Sequence, residues 1–172
     1  MKVFLILAAM VLLTACSPTY RDKTVPISSI VSFDAERYQG LWYEVAAFPN
    51  PFQSGCTDTT ADYGVDGDGS VTVRNRCLKN GMPEVIEGRA LITGPGRLSV
   101  RLDGVPVAAD YWVLWVDEGY RTAVVGVPSG RVGWILNRSP DIPADRLAAA
   151  RDVLAFNGYD VTRLRMTRQG TR

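Results

Sequence analysis

The sequence predicts an all-β domain: an eight-stranded antiparallel up-and-down barrel with one C-terminal α-helix and a short ninth strand. Three observations carry that expectation. Between residues 41 and 138 the chain breaks into eight short runs of alternating apolar and polar residues, the period of half-buried strands. The links between them are short and rich in Gly, Pro and Asp, with no long crossover. After residue 143 the period changes to that of a helix.

The runs cover about 42–48, 57–65, 70–77, 84–93, 97–102, 110–116, 120–127 and 132–138. Asp66-Gly67-Asp68-Gly69 supplies glycines where a hairpin needs positive φ, and Gly94-Pro95-Gly96 does so two runs later. Sequential neighbours therefore pair antiparallel. One face is apolar: Ala61, Tyr63, Val65, Val71, Val73, Ile86, Ala90, Ile92, Leu98, Val100 and Leu102 alternate with Thr72, Arg74, Arg76, Arg89, Ser99 and Arg101. Closing eight such strands removes the open edges that a flat sheet would leave. A two-layer sandwich shares the local signs but needs Greek-key links, for which this chain offers no candidate. In 143–156, Leu147, Ala150 and Leu154 fall at i, i+3 and i+7; Pro143 suits the first turn, and Asn157-Gly158 supplies a stop. Residues 161–166 read as the ninth strand.

Composition bounds the chemistry. The 172 residues suit one domain, and 19 basic against 18 acidic groups leave a formal charge of +1, no footprint for nucleic acid. Histidine is absent, which removes serine-histidine and cysteine-histidine nucleophile pairs and any metal site that needs imidazole. No carboxylate is tied by spacing to a base, metal or nucleophile, so neither catalytic residues nor a cofactor or metal is expected, and the domain reads as a binding protein.

Lys2 precedes eleven uninterrupted apolar residues, 3–13, too few to cross about 30 Å of hydrocarbon but suited to a secretory signal. Residues 1–15 are accordingly a signal peptide and 33–172 the barrel domain; the polar, proline-containing stretch 16–32 reads as a tether. Leu13-Thr14-Ala15-Cys16 resembles the bacterial lipobox, which implies a lipidated Cys16 at the mature terminus; an ordinary signal peptide would leave Cys16 a chance thiol. Ser17 after the cysteine resembles the choice that sends such lipoproteins to the outer membrane, with the domain facing the periplasm. In a compartment that permits oxidation, Cys56 and Cys77 are expected to form a disulfide, two free thiols being the alternative. Parity opposes a simple facing pair: matching Tyr63 with Val71 turns Cys56 outward and Cys77 inward, so Gly55 or a bulge would have to re-aim Cys56.

Gly40-Leu41-Trp42-Tyr43 at the first strand and Arg138 after Trp134-Ile135-Leu136-Asn137 at the last resemble the lipocalin signature. Further resemblance runs through Phe33-Asp34-Ala35-Glu36-Arg37-Tyr38, Tyr111-Trp112-Val113-Leu114 and Tyr120-Arg121-Thr122-Ala123-Val124-Val125, together similar to the outer-membrane lipocalins of bacteria. The resemblance implies that Gly40, Trp42 and Arg138 close one end of the barrel, with the guanidinium over the indole, a contact worth about 0.5 to 2 kcal/mol. It also implies a small lipophilic ligand, a fatty acid or lysophospholipid, in the barrel interior. Candidate lining residues are Ala61, Tyr63, Val71, Val73, Ala90, Leu98, Val100, Tyr111, Val113 and Trp115, each of which would serve equally as core. The run 110–116 is apolar on both faces; Trp112 or Trp115 outside would pack under the helix or leave a homodimer or membrane contact open. Glu44 shares the parity of Trp42 and points inward, to a polar head group or an internal partner. Two rival functions remain open: an enzyme on the same scaffold using a cysteine thiol, and an envelope interaction protein with a filled barrel.

Overall fold

The computed structural model describes residues 19–170. The signal peptide and Cys16 lie outside that range. Eight antiparallel strands form the barrel: β1 (Gly40–Ala47), β2 (Cys56–Val65), β3 (Val71–Lys79), β4 (Met82–Gly94), β5 (Arg97–Leu102), β6 (Ala109–Val116), β7 (Thr122–Gly126) and β8 (Gly133–Asn137). Each pairs with the next, and β1 pairs with both β8 and β2, which closes the ring. Helix α1 (Ala35–Tyr38) precedes the barrel, and helix α2 (Ala144–Phe156) follows it. Of the expected ninth strand only β9 (Arg165–Met166) is strand; Val161–Arg163 is a 3-10 turn capped by Asp160.

The β2–β3 register pairs Tyr63 with Val73 and Val65 with Val71, two residues from the expected match and therefore with the same parity. A register shift between Thr57 and Thr60, where Asp58 takes φ 53°, re-aims the start of β2. Cys56 and Cys77 thus come within 5.5 Å at Cα and form the disulfide. Neither thiol remains for an enzymatic nucleophile.

Two apolar layers share the barrel wall. The inner one contains Trp42, Ala61, Tyr63, Val71, Val73, Ala90, Leu98, Val113, Ala123, Val125 and Leu136. The outer one sets Leu147, Ala150 and Leu154 of α2 against Leu114, Val124 and Ile135. That second layer explains why β6 to β8 are apolar on both faces.

Residues 19–30, part of the stretch 16–32 that reads as a tether, lie against the barrel. Tyr20 and Arg21 are buried. Arg21 Nε donates to Asn157 O at 2.7 Å, and its Nη2 donates to Val25 O. Asn157 Oδ1 in turn accepts from Ser28 N at 2.9 Å. A Cβ on Gly130 would collide with Arg21, so the close approach of strap and loop needs glycine there. The stretch lacks a period because it is held by single polar contacts to residues far along the chain.

Candidate functional site

One end of the barrel is sealed. Trp42 is fully buried at the start of β1, and its Nε1 donates to Tyr38 O at 2.7 Å. The Arg138 guanidinium lies 3.8 Å from the centroid of the Trp42 ring. Its nitrogens donate to the carbonyls of Leu41 at 2.9 Å, Gln39 at 2.9 Å, Arg37 at 3.0 Å, Tyr120 at 3.2 Å and Tyr38 at 3.3 Å. One side chain thus ties α1, β1 and the β6–β7 loop together. Gly40 takes φ +89°, a backbone conformation that residues with a side chain rarely adopt, so glycine serves the closure there.

Above this floor sits a cluster of three tyrosines. Tyr111 Oη lies 2.8 Å from Tyr38 Oη and 2.9 Å from Tyr63 Oη. Burial raises the pKa of all three phenols above the ordinary tyrosine value, so they stay neutral donors and acceptors. Tyr111 also stacks on Trp134, with centroids 6.3 Å apart. By register, Trp134 faces Val125 inside the barrel. Both Tyr111 and Trp134 point inward yet are only half-buried, as are Val100 and Leu102 beside them, and Ile86 retains 36% of its surface. Inward-facing side chains with surface left open outline a hollow over the sealed floor.

On the wall, Glu44 is buried. Its carboxylate accepts from Gln53 Nε2 at 2.5 Å and Thr167 Oγ1 at 2.6 Å. Desolvation raises its pKa above the usual carboxylate value, and the two hydrogen bonds only partly oppose that. Gln53 also accepts from Trp134 Nε1 at 3.0 Å. The internal-partner reading of Glu44 is therefore the one observed. Beyond Thr167, Gln169 Nε2 donates to Glu44 O at 2.7 Å and Thr59 O at 3.0 Å, so the C-terminal segment fills the gap where β1 and β2 part.

Of the sequence-derived candidates, Ala61, Tyr63, Val71, Val73, Ala90, Leu98 and Val113 are buried in the inner layer, and Val100 and Tyr111 border the hollow. Trp115 does not join them. A register shift between Val113 and Trp115 inserts one residue into β6, which turns Trp115 out against Val124 and the helix layer. Trp112 is also outside, with the Arg97 guanidinium 4.2 Å from its ring centroid. Sequence reasoning missed Trp134 and Gln53. The parity of Trp134 with Leu136 was available, but an apolar run on both faces concealed which face mattered; Gln53 lies in a loop and carried no signal. A concavity of about 580 Å³ lies along Asp62, Thr72, Arg74, Glu87 and Arg89, with Tyr63 and Val73 also in its lining.

A family model described as a lipocalin-like domain matches residues 33–169. Temperature-induced lipocalin-1 of Arabidopsis thaliana is 35% identical over 151 residues, covering 81% of this chain and 81% of the relative. Outer membrane lipoprotein Blc of Escherichia coli K12 is 34% identical over 156 residues, covering 88% and 87%. Apolipoprotein D of Bos taurus is 32% identical over 148 residues, covering 80% and 78%. Among solved structures, insecticyanin from the tobacco hornworm Manduca sexta superposes with a TM-score of 0.68 at 22% identity, covering 87% of this chain and 86% of that one. Lobster apocrustacyanin A1 gives 0.69 at 20% identity, covering 90% and 93%; these two likenesses concern the fold.

Proposed function

The chain belongs to the lipocalin family, and from that premise we propose that it is a lipid-anchored envelope protein that binds, stores or transports a fatty acid or lysophospholipid in its barrel. Lipocalins typically bind small hydrophobic molecules and are typically not enzymes. The observation that carries the reading is the half-buried, inward-facing pair Tyr111 and Trp134 above a floor sealed by Trp42 and Arg138. An apolar chain entering from the open end covers Trp134, Val100 and Leu102, and each buried methylene contributes about 0.8 kcal/mol.

The ligand enters tail first. Among the described residues deep inside the wall the ionisable carboxyl is Glu44, and the three phenols satisfy one another, so an anionic head placed there meets no compensating cation among them. At the mouth, Lys79 and Glu84 form a 3.5 Å ion pair that suits a charged or zwitterionic head better. Anchoring through a lipidated Cys16 in the outer membrane, with the barrel in the periplasm, is supported by the lipobox-like segment and by the naming of Blc as an outer membrane lipoprotein.

Tryptophan fluorescence tests the hollow. Of the four tryptophans, Trp42 is sealed in the floor and Trp112 and Trp115 pack outside, which leaves Trp134 to report. Lysophospholipid should change the emission saturably in the wild type, and Trp134→Phe should remove most of that change while displacement of a fluorescent fatty acid persists. No saturable uptake by either protein would refute the binding role; an unchanged signal in Trp134→Phe would refute this placement of the ligand.

A further inference from the structure

The strap that docks the amino-terminal segment has a direction. Near the floor, Ile30 N donates to Val113 O at 2.9 Å and Ile30 packs against the inner layer. At its other end, Tyr20 N donates to Gly130 O at 2.7 Å, Thr19 Oγ1 donates to Ser129 O at 3.0 Å, and Tyr20 Oη donates to Pro49 O at 2.5 Å. Gly130 and Ser129 belong to the β7–β8 loop and Pro49 to the β1–β2 loop, both at the open end. The chain therefore joins the barrel at its mouth. Cys16 precedes Thr19 by three residues, a reach of about 10 Å at full extension. An anchor on Cys16 holds the mouth, rather than the floor, beside the bilayer.

The rim at that end carries large apolar side chains that none of the described residues covers. Phe52 in the β1–β2 loop is 80% exposed, Met82 at the β3–β4 turn 69%, and Val107 in the β5–β6 loop 68%. These are three separate loops that converge only around the open end. At the opposite pole the β2–β3 and β6–β7 loops present Asp66, Asp68 and Glu118, and one exposed apolar side chain, Val31, lies in the segment before α1.

We propose that this rim docks on the lipid surface that holds the anchor, with Phe52, Met82 and Val107 entering the interfacial layer, so that ligand passes between bilayer and hollow without crossing bulk water. The proposal rests on the readings of Cys16 as the lipidated residue and of the hollow as the lipid site. Isolated apolar side chains on the rim gain from the headgroup boundary what solvent denies them, and the short connection keeps the local concentration of that boundary high.

The test uses the mature lipoprotein purified from envelopes and reconstituted into phosphatidylcholine vesicles, after the mass of its amino-terminal peptide has shown the acyl groups. An environment-sensitive dye is placed at Phe52→Cys, Met82→Cys or Val107→Cys, and at Asp68→Cys on the opposite pole. Lipid-borne spin label should quench the rim dyes at least fivefold more than the dye at position 68. Phe52→Ser/Met82→Ser/Val107→Ser should slow transfer of a fluorescent fatty acid from vesicle to protein at least tenfold, with thermal stability and solution affinity for the same probe unchanged. Equal quenching at both poles overturns the proposal, as does rim burial that depends on protein concentration and not on lipid, which makes the rim a contact between two copies. A peptide without acyl groups overturns the anchor instead, and rim quenching without any fatty-acid uptake overturns the ligand reading while leaving the docked rim in place.

Discussion

Replacing Arg138 with methionine removes one cation and leaves the stem, so its cost isolates the guanidinium. Two contributions add. The guanidinium at 3.8 Å from the Trp42 centroid is worth about 1 kcal/mol at a half-exposed position. Five carbonyls lose a charge-assisted donor. Water can reach several of them, so only about two bonds' worth, roughly 1 kcal/mol each, is charged to the substitution. The sum, about 3 kcal/mol, corresponds to a fall in melting temperature of roughly 6 to 12 °C for a chain of this size. Arg138→Lys keeps the charge but not the planar fork, and should recover about half of the loss. Thermal and urea unfolding of the three proteins, followed by tryptophan emission, measures this. A loss below about 1 kcal/mol in Arg138→Met, or a lysine variant as stable as the wild type, would refute the view that this one side chain binds the floor together.

Cys56→Ala/Cys77→Ala opens a loop of 21 residues' separation and should cost about 3 kcal/mol in urea unfolding, with the barrel's far-UV spectrum kept. Because burial raises the Glu44 pKa in the folded state, the native protein holds that proton to higher pH than the unfolded chain, so stability falls as pH rises from the ordinary glutamate range through the folded value and then levels off. Glu44→Gln should remove that descending component, read as the difference between the two proteins' unfolding free energies at pH 4 to 8. The same variant at pH 8 should tighten a twelve-carbon carboxylate more than the matching alcohol, and an equal effect on both would remove Glu44 from recognition. In a spectrophotometric titration, Tyr38, Tyr63 and Tyr111 should ionise only above the ordinary tyrosine range, while Tyr159, pushed up to about 12 by burial, should titrate before them; four phenols ionising together near 10 would contradict the burial.

The barrel was legible because alternation and turn glycines are local, and each hairpin announces itself within a few residues. Its floor was legible through Gly40, Trp42 and Arg138, because those residues resemble the lipocalin signature and the resemblance implies their closing role. What escaped is non-local. The bulge after Val113 is invisible in a run where both faces bury apolar groups, one inward and one under α2, and it alone decides that Trp115 leaves the interior. The bulge between Thr57 and Thr60 is likewise silent in the sequence, yet it resolves the parity conflict of Cys56 with Cys77. Helix α1 has four residues, too few for any period. The strap gave no pattern because Arg21, its main fastener, is satisfied by Asn157 and the β7–β8 loop, far along the chain.

Glu44 shows how a costly residue can be retained by several segments at once. A buried carboxylate with two neutral donors is under-compensated, since hydrogen bonds recover part but not all of the hydration energy it gave up. Yet those donors come from the β1–β2 loop and from the C-terminal segment, and Gln53 extends the contact to Trp134 on the wall of the hollow. Loss of the carboxylate would therefore release, in one step, the loop at the mouth and the segment that closes the gap beside β1. An apolar residue at position 44 could fill the space, but it could hold neither partner. The acid is thus better understood as a fastener at the edge of the cavity, with its negative charge an incidental barrier that turns anionic head groups back toward the mouth.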